Sequence, residues 1–123
     1  MSGIVSREDQ RKDARFRVQE GTFVSLNNQS YMLGNMVNVS RSGLSFEYVP
    51  HMDRPLGTSE LDIFIIGHVF RLIKIPFSII FDLETDKPIP FSSNNMRRCG
   101  VQFRHLMPVQ SYQLDYFIRH YTM

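Results

Sequence analysis

The 123-residue sequence is 42% hydrophobic and 21% charged, a balance that suits one folded domain with room for a core and excludes a disordered chain. Fourteen basic side chains against twelve acidic ones leave a net charge of only +2, too even for bulk attraction to duplex nucleic acid, so any anion recognition should be local. The single Cys99 excludes an internal disulfide and fits a reducing compartment. With no long apolar run among the first residues, this predicts a cytoplasmic protein.

In chain order, residues 1–14 are polar and mixed in charge and read as a flexible arm ahead of a single domain over 15–123. Phe16, Val18, Thr22, Val24 and Leu26 then alternate with polar neighbours, the period of a half-buried strand. Asn27-Asn28-Gln29 signals a turn. Tyr31 to Val39 resumes as a second strand, with Gly34 expected at a bulge. Leu44 to Tyr48 alternates again after Ser40-Arg41-Ser42-Gly43, and Pro50, Pro55 and Gly57 bracket a loop. Leu61 to Ile66 reads as a strand turning at Gly67-His68. Val69 to Leu83 is rich in β-branched and aromatic residues and reads as strand, its Pro76 implying an edge or bulge position. The most apolar region, Leu61 to Leu83, is broken by Arg71, Lys74 and Pro76 and flanked by Asp62 and Asp82, which argues against a membrane span.

Asp86 to Asn95 is expected as a loop and Cys99 to Phe103 as the last strand. Pro108 suits the first position of a closing helix over about 108–122, in which Val109, Tyr112, Tyr116, Phe117, His120 and Tyr121 fall near helical spacing. Short strands with turn signals and one terminal helix predict a small all-β antiparallel barrel or sandwich, the helix covering an open barrel end.

Two motifs carry chemistry. Arg11 and Arg15 stand four residues apart in the arm, and two planar, permanently charged forks suit a planar anionic ligand. Asn38-Val39-Ser40-Arg41-Ser42-Gly43 joins two strands; Asn38 offers an amide, Ser40 a hydroxyl suited to phosphate, and Gly43 admits positive φ and close approach of a ligand. Taken alone, the first is an ordinary solvated charge run and the second a polar hairpin turn.

Together they resemble the PilZ domain family, receptors for the bacterial messenger cyclic di-GMP: Arg-x-x-x-Arg, some two dozen residues, then Asn-x-Ser-x-x-Gly. Leu44-Ser45-Phe46, Arg98-Cys99-Gly100-Val101-Gln102-Phe103 and the closing helix extend the likeness along nearly the whole chain. The resemblance implies a six-stranded antiparallel β-barrel with a C-terminal α-helix and the arginine motif just before the first strand. It places Arg11, Arg15, Asn38, Ser40 and Gly43 on cyclic di-GMP, with Arg11 and Arg15 taking guanine edges and phosphate. Asn38 would take a guanine polar edge, and Ser40 phosphate or ribose. Lys12 stands where many members have a second consecutive arginine, keeping the charge but giving up the planar fork. Lys12, Arg17, Arg41 and Arg98 are secondary candidates, each also explained as a solvated surface charge.

The implied function is a non-enzymatic receptor, without cofactor or metal, that relays ligand binding to a downstream protein as a monomer or ligand-dependent dimer. Two readings compete: a PilZ-like adaptor that binds no nucleotide, and a barrel that binds single-stranded nucleic acid. Catalysis finds little support. His51, His68, His105 and His120 are scattered without metal spacing, and no Walker-type or dinucleotide glycine loop exists. Cys99 reads as a small core residue, and Asp82, Glu84 and Asp86 as a solvated acidic loop.

Overall fold

A computed structural model describes residues 13–27, 31–50 and 58–123. Its strands are β1 Phe16–Arg17, β2 Thr22–Asn27, β3 Tyr31–Val39, β4 Gly43–Tyr48, β5 Thr58–Ile65, β6 Arg71–Pro88 and β7 Asn95–Phe103, followed by the helix α1 Pro108–Tyr121. All pairings are antiparallel, in the order β3-β2-β5-β6-β7-β4, and β4 pairs back onto β3, so six strands close a barrel with no free edge. The short β1 adds to β3 outside this ring, matching Phe16 with Val39 and Arg17 with Asn38.

Alternation along each strand fills the interior. Val24, Leu26, Met36, Val39, Phe46, Tyr48, Leu61, Ile63, Phe77 and Val101 join one core, to which α1 contributes Leu114, Phe117 and Ile118. The helix is anchored by polar contacts as well: Gln110 Nε2 donates to the carbonyls of Ile73 (3.1 Å) and Lys74 (2.9 Å), and the backbone N–H of Met107 donates to Gln110 Oε1 (2.9 Å). Phe70 stacks on Tyr116 and Phe117, and the chain end returns to the barrel through Met123 N–H donating to the Arg17 carbonyl at 2.8 Å.

Several boundaries differ from the sequence expectation for physical reasons. The alternation from Phe16 to Leu26 is two strands, broken at Gly21, whose φ of +89° an L-residue rarely adopts. β6 runs on to Pro88, so the loop expected over Asp86 to Asn95 shortens to a turn. Gly34 lies in regular ladder rather than at a bulge; its missing Cβ makes room for the Phe46 ring. At Pro76, β6 pairs with Glu60 of β5, while the β7 ladder begins one residue later at Phe77. The buried face of α1 is Gln110, Leu114, Phe117 and Ile118, leaving Val109, Tyr112 and Tyr116 exposed.

Two further register shifts decide what faces outward. In β3 the ladder slips between Met36 and Asn38, and in β6 between Ile79 and Phe81. A bulge adds one residue to a strand and reverses the inside–outside phase beyond it. Met36 and Val39 thus both face the core, with Val37 and Asn38 between them. Likewise Ile79 packs on the core, Ile80 and Phe81 face out together, and Asp82 turns inward to Tyr48.

Candidate functional site

The hairpin between β3 and β4 is built around one hydroxyl. Ser40 Oγ accepts from the backbone N–H groups of Ser42 (3.1 Å) and Gly43 (3.2 Å), and Ser40 N–H donates to the Gly43 carbonyl at 2.8 Å. Buried Ser40 thereby closes the turn that its own sequence begins. Gly43 is required for a reason other than φ: a Cβ there would collide with the carbonyl oxygen of Val101 on β7. Its φ is not among the positive ones.

Next to this turn, a row of residues crosses the outer face of the barrel. Arg17 pairs with Asn38, Asn38 with Ser45, Ser45 with Gly100, and Gly100 with Phe81, so β1, β3, β4, β7 and β6 each contribute one member. Ser45 Oγ donates to Asn38 Oδ1 at 2.9 Å, which orients the amide. A recess of about 210 Å³ opens beside the row, lined among others by Arg15, Ser40, Gly43, Phe81, Gly100 and Gln102. Gln102 also borders a more open recess of about 480 Å³ with Ser78, Arg104 and His105.

The structure therefore brings Arg15, Ser40 and Gly43 to one recess and Asn38 to the adjoining row. Arg11 and Lys12 lie outside the described residues. Arg17 is exposed beside Asn38. Arg41 turns instead to the helix, its Nε 3.1 Å from Asp115 Oδ1. Arg98 reaches Glu47 Oε2 at 3.4 Å, where Lys87 Nζ also binds the same carboxylate at 3.0 Å. Its Nε is buried with no hydrogen-bond partner among the described residues.

The acidic group read as a solvated loop is corrected at its first member. Asp82 faces the interior, accepting from Tyr48 Oη at 2.8 Å and from Arg97 Nε at 3.0 Å, while Arg97 Nη2 donates to the Asp82 carbonyl at 2.7 Å. Burial first, and then the bond to Asp82, pushes the Tyr48 phenol above its ordinary range. Burial, followed by the nearby Asp82 charge, pushes the Cys99 thiol up to about 12. Both groups stay protonated and inert at neutral pH, a structural assembly rather than an acid–base pair. Among the described residues, no three His, Cys, Asp or Glu side chains are grouped to hold a metal ion, and no helix is long and apolar enough to cross a membrane.

Phe81 and Gly100 were not singled out from the sequence as parts of a site. Phe81 lies in an apolar run that reads as core, and only the bulge turns it outward. Gly100 belongs to the Arg98 to Phe103 strand, but nothing in the sequence tells that its missing Cβ faces an aromatic ring.

A closed six-stranded antiparallel barrel with an added strand and one C-terminal helix is the PilZ-like architecture. The sequence matches no protein-family model, and no curated protein matches it. Among solved structures, the fold matches the PilZ domain of YcgR from Escherichia coli with c-di-GMP, at a TM-score of 0.67 and 13% identity over 89% of each chain. It also matches YcgR in complex with c-di-GMP (TM-score 0.67, 13% identity, 89% of this chain and 45% of that one). A third match is the K. pneumonia MrkH–c-di-GMP complex (TM-score 0.67, 13% identity, 89% of this chain and 51% of that one). The chain thus spans about half the length of YcgR and MrkH. At such identities the likeness establishes the fold.

Proposed function

We propose that this protein is a non-enzymatic receptor for cyclic di-GMP that binds the messenger on the outer face of its barrel and relays the event to a protein partner in the bacterial cytoplasm. The observation that carries the reading is the convergence of Arg15 with Ser40 and Gly43 around one recess. Residues 25 and 28 positions apart in sequence meet there, on a fold whose solved neighbours include complexes with this ligand. Arg15 can present its fork to a guanine O6/N7 edge or a phosphate. The Ser45-oriented Asn38 amide offers a further polar contact beside Arg17. Arg11, four residues before Arg15, would add a second fork for a guanine edge or a phosphate.

The recess of about 210 Å³ is smaller than the roughly 300–1,000 Å³ that encloses a drug-sized molecule. It therefore suits one part of the ligand. Closure of the arm would shift the population of a surface that a partner reads. An adaptor without nucleotide binding draws on a different observation: the Ser40 hydroxyl already serves its own turn.

Titration calorimetry on the full chain with cyclic di-GMP, GTP and a short oligonucleotide separates these readings. Saturable heat with cyclic di-GMP alone, reduced at least tenfold in affinity by Arg11→Ala or Arg15→Ala, is the expected result. No heat with any of the three leaves the adaptor, and heat with the oligonucleotide overturns the receptor.

A further inference from the structure

We infer that the more open recess beside the candidate site is a second binding site, for a nucleoside monophosphate, independent of the receptor reading above. The recess, of about 480 Å³, is lined by Pro76, Ser78, Gln102, Phe103, Arg104 and His105. Sheet register builds it. Ser78 on β6 pairs with Gln102 on β7, and two residues on, the Arg104 N–H donates to the Pro76 carbonyl at 2.8 Å. Residues two apart on a strand share a face, so Pro76 with Ser78 and Gln102 with Arg104 form a four-cornered patch on the outside of the barrel. Phe103 between the last two is buried, and His105 follows where the chain leaves the sheet for α1.

The polar side chains of this patch are not spent on the fold. Among the described residues, no hydrogen bond or ion pair engages the side chain of Ser78, Gln102, Arg104 or His105. Gln110 and Arg97, by contrast, are committed to backbone carbonyls and to Asp82. None of the described lining residues is acidic, and Glu60, which pairs with Pro76 from β5, lies outside the recess. Arg104 and His105 thus face an anion without a competing carboxylate on the same wall. The Arg104 fork and the Ser78 hydroxyl suit a phosphate, to which an imidazole N–H of His105 can also donate. The Gln102 amide, with an acceptor and two donors, matches the N6/N7 edge of adenine, and the Pro76 ring offers an apolar surface to sugar or base. The volume falls within the roughly 300–1,000 Å³ of small-molecule sites.

The probe is AMP, which shares no base with cyclic di-GMP, with inorganic phosphate as the comparison. In NMR titrations of the full chain, the Arg104 Nε–Hε and His105 ring signals should shift saturably with AMP, while the His120 ring, near the end of α1, serves as the control. AMP should bind at least about tenfold tighter than phosphate, because only the nucleotide reaches the Gln102 amide. Arg104→Ala should weaken AMP binding, followed at His105, roughly 10- to 100-fold, the worth of hydrogen bonds to a charged group. The amide spectrum of the variant checks its fold. Absence of a saturable shift, equal drift at His105 and His120, or unchanged affinity in a folded Arg104→Ala overturns the site. Equal affinity for AMP and phosphate overturns the nucleotide, and a shift at the Arg15 Nε–Hε as large as that at Arg104 places AMP in the first recess and overturns the second. Calorimetry with cyclic di-GMP decides the receptor separately from all of these.

Discussion

The residues of the candidate site also build the fold, and Gly43 shows how the two roles divide. The sequence alone suggested a glycine kept for positive φ or for a ligand, whereas its backbone runs against the Val101 carbonyl of β7. A methyl group there must push two strands apart, because the obstacle is backbone and cannot rotate away. Gly43→Ala should therefore lower stability by roughly 1–3 kcal/mol in urea unfolding, with or without ligand. Cys99 gives a prediction in pH. Its thiol ionises near 9.0 when unfolded and is pushed up to about 12 in the barrel, so the fold holds the proton that the unfolded chain releases. This stabilisation is fully present below pH 9 and declines above it, by up to about 1.4 kcal/mol between pH 9 and 10. Urea unfolding at pH 8, 9 and 10 should show that decline, and Cys99→Ala should remove most of it.

At the level of elements, strands and helix were legible because burial writes its period into the sequence: Leu44, Phe46 and Tyr48 alternate, and Phe117 and Tyr121 fall at helical spacing. The bulges were not. Nothing in Met36-Val37-Asn38-Val39 or Ile79-Ile80-Phe81-Asp82 says where the phase flips, since the flip depends on which partner each strand meets across the barrel. Asn38 could be named from its motif, but Phe81 could not. The exposed face of α1 was misread for a related reason: Tyr112 and Tyr116 look like packing groups, while Gln110 does the buried work through hydrogen bonds. Gln110 bridges Met107 to Ile73 and Lys74, where β6 is irregular. Gln110→Leu fills similar space but leaves these backbone groups without that partner, each at about 1–3 kcal/mol. A loss of at least about 2 kcal/mol in unfolding free energy is expected, and an unchanged stability would mean that water replaces the amide.

For the molecule as a whole, binding and folding are linked, so one thermal measurement can weigh site and scaffold against each other. A ligand that binds only the folded barrel stabilises it by about 2.7 kcal/mol at a hundredfold excess over its dissociation constant. In a domain of 123 residues, that corresponds to a rise in melting temperature of roughly 10 °C. Arg15 is exposed and precedes the first strand, so on the proposed reading its loss would remove a ligand contact without opening the core. Arg15→Ala should melt within about a degree of the wild type when free, yet gain little from cyclic di-GMP. Gly43→Ala should do the reverse at the free-state end, melting lower before any ligand is added. A free Arg15→Ala protein that melts far below the wild type would make the arginine part of the scaffold. The convergence of Arg15 with the Ser40 turn would then belong to the architecture of the barrel and carry no nucleotide.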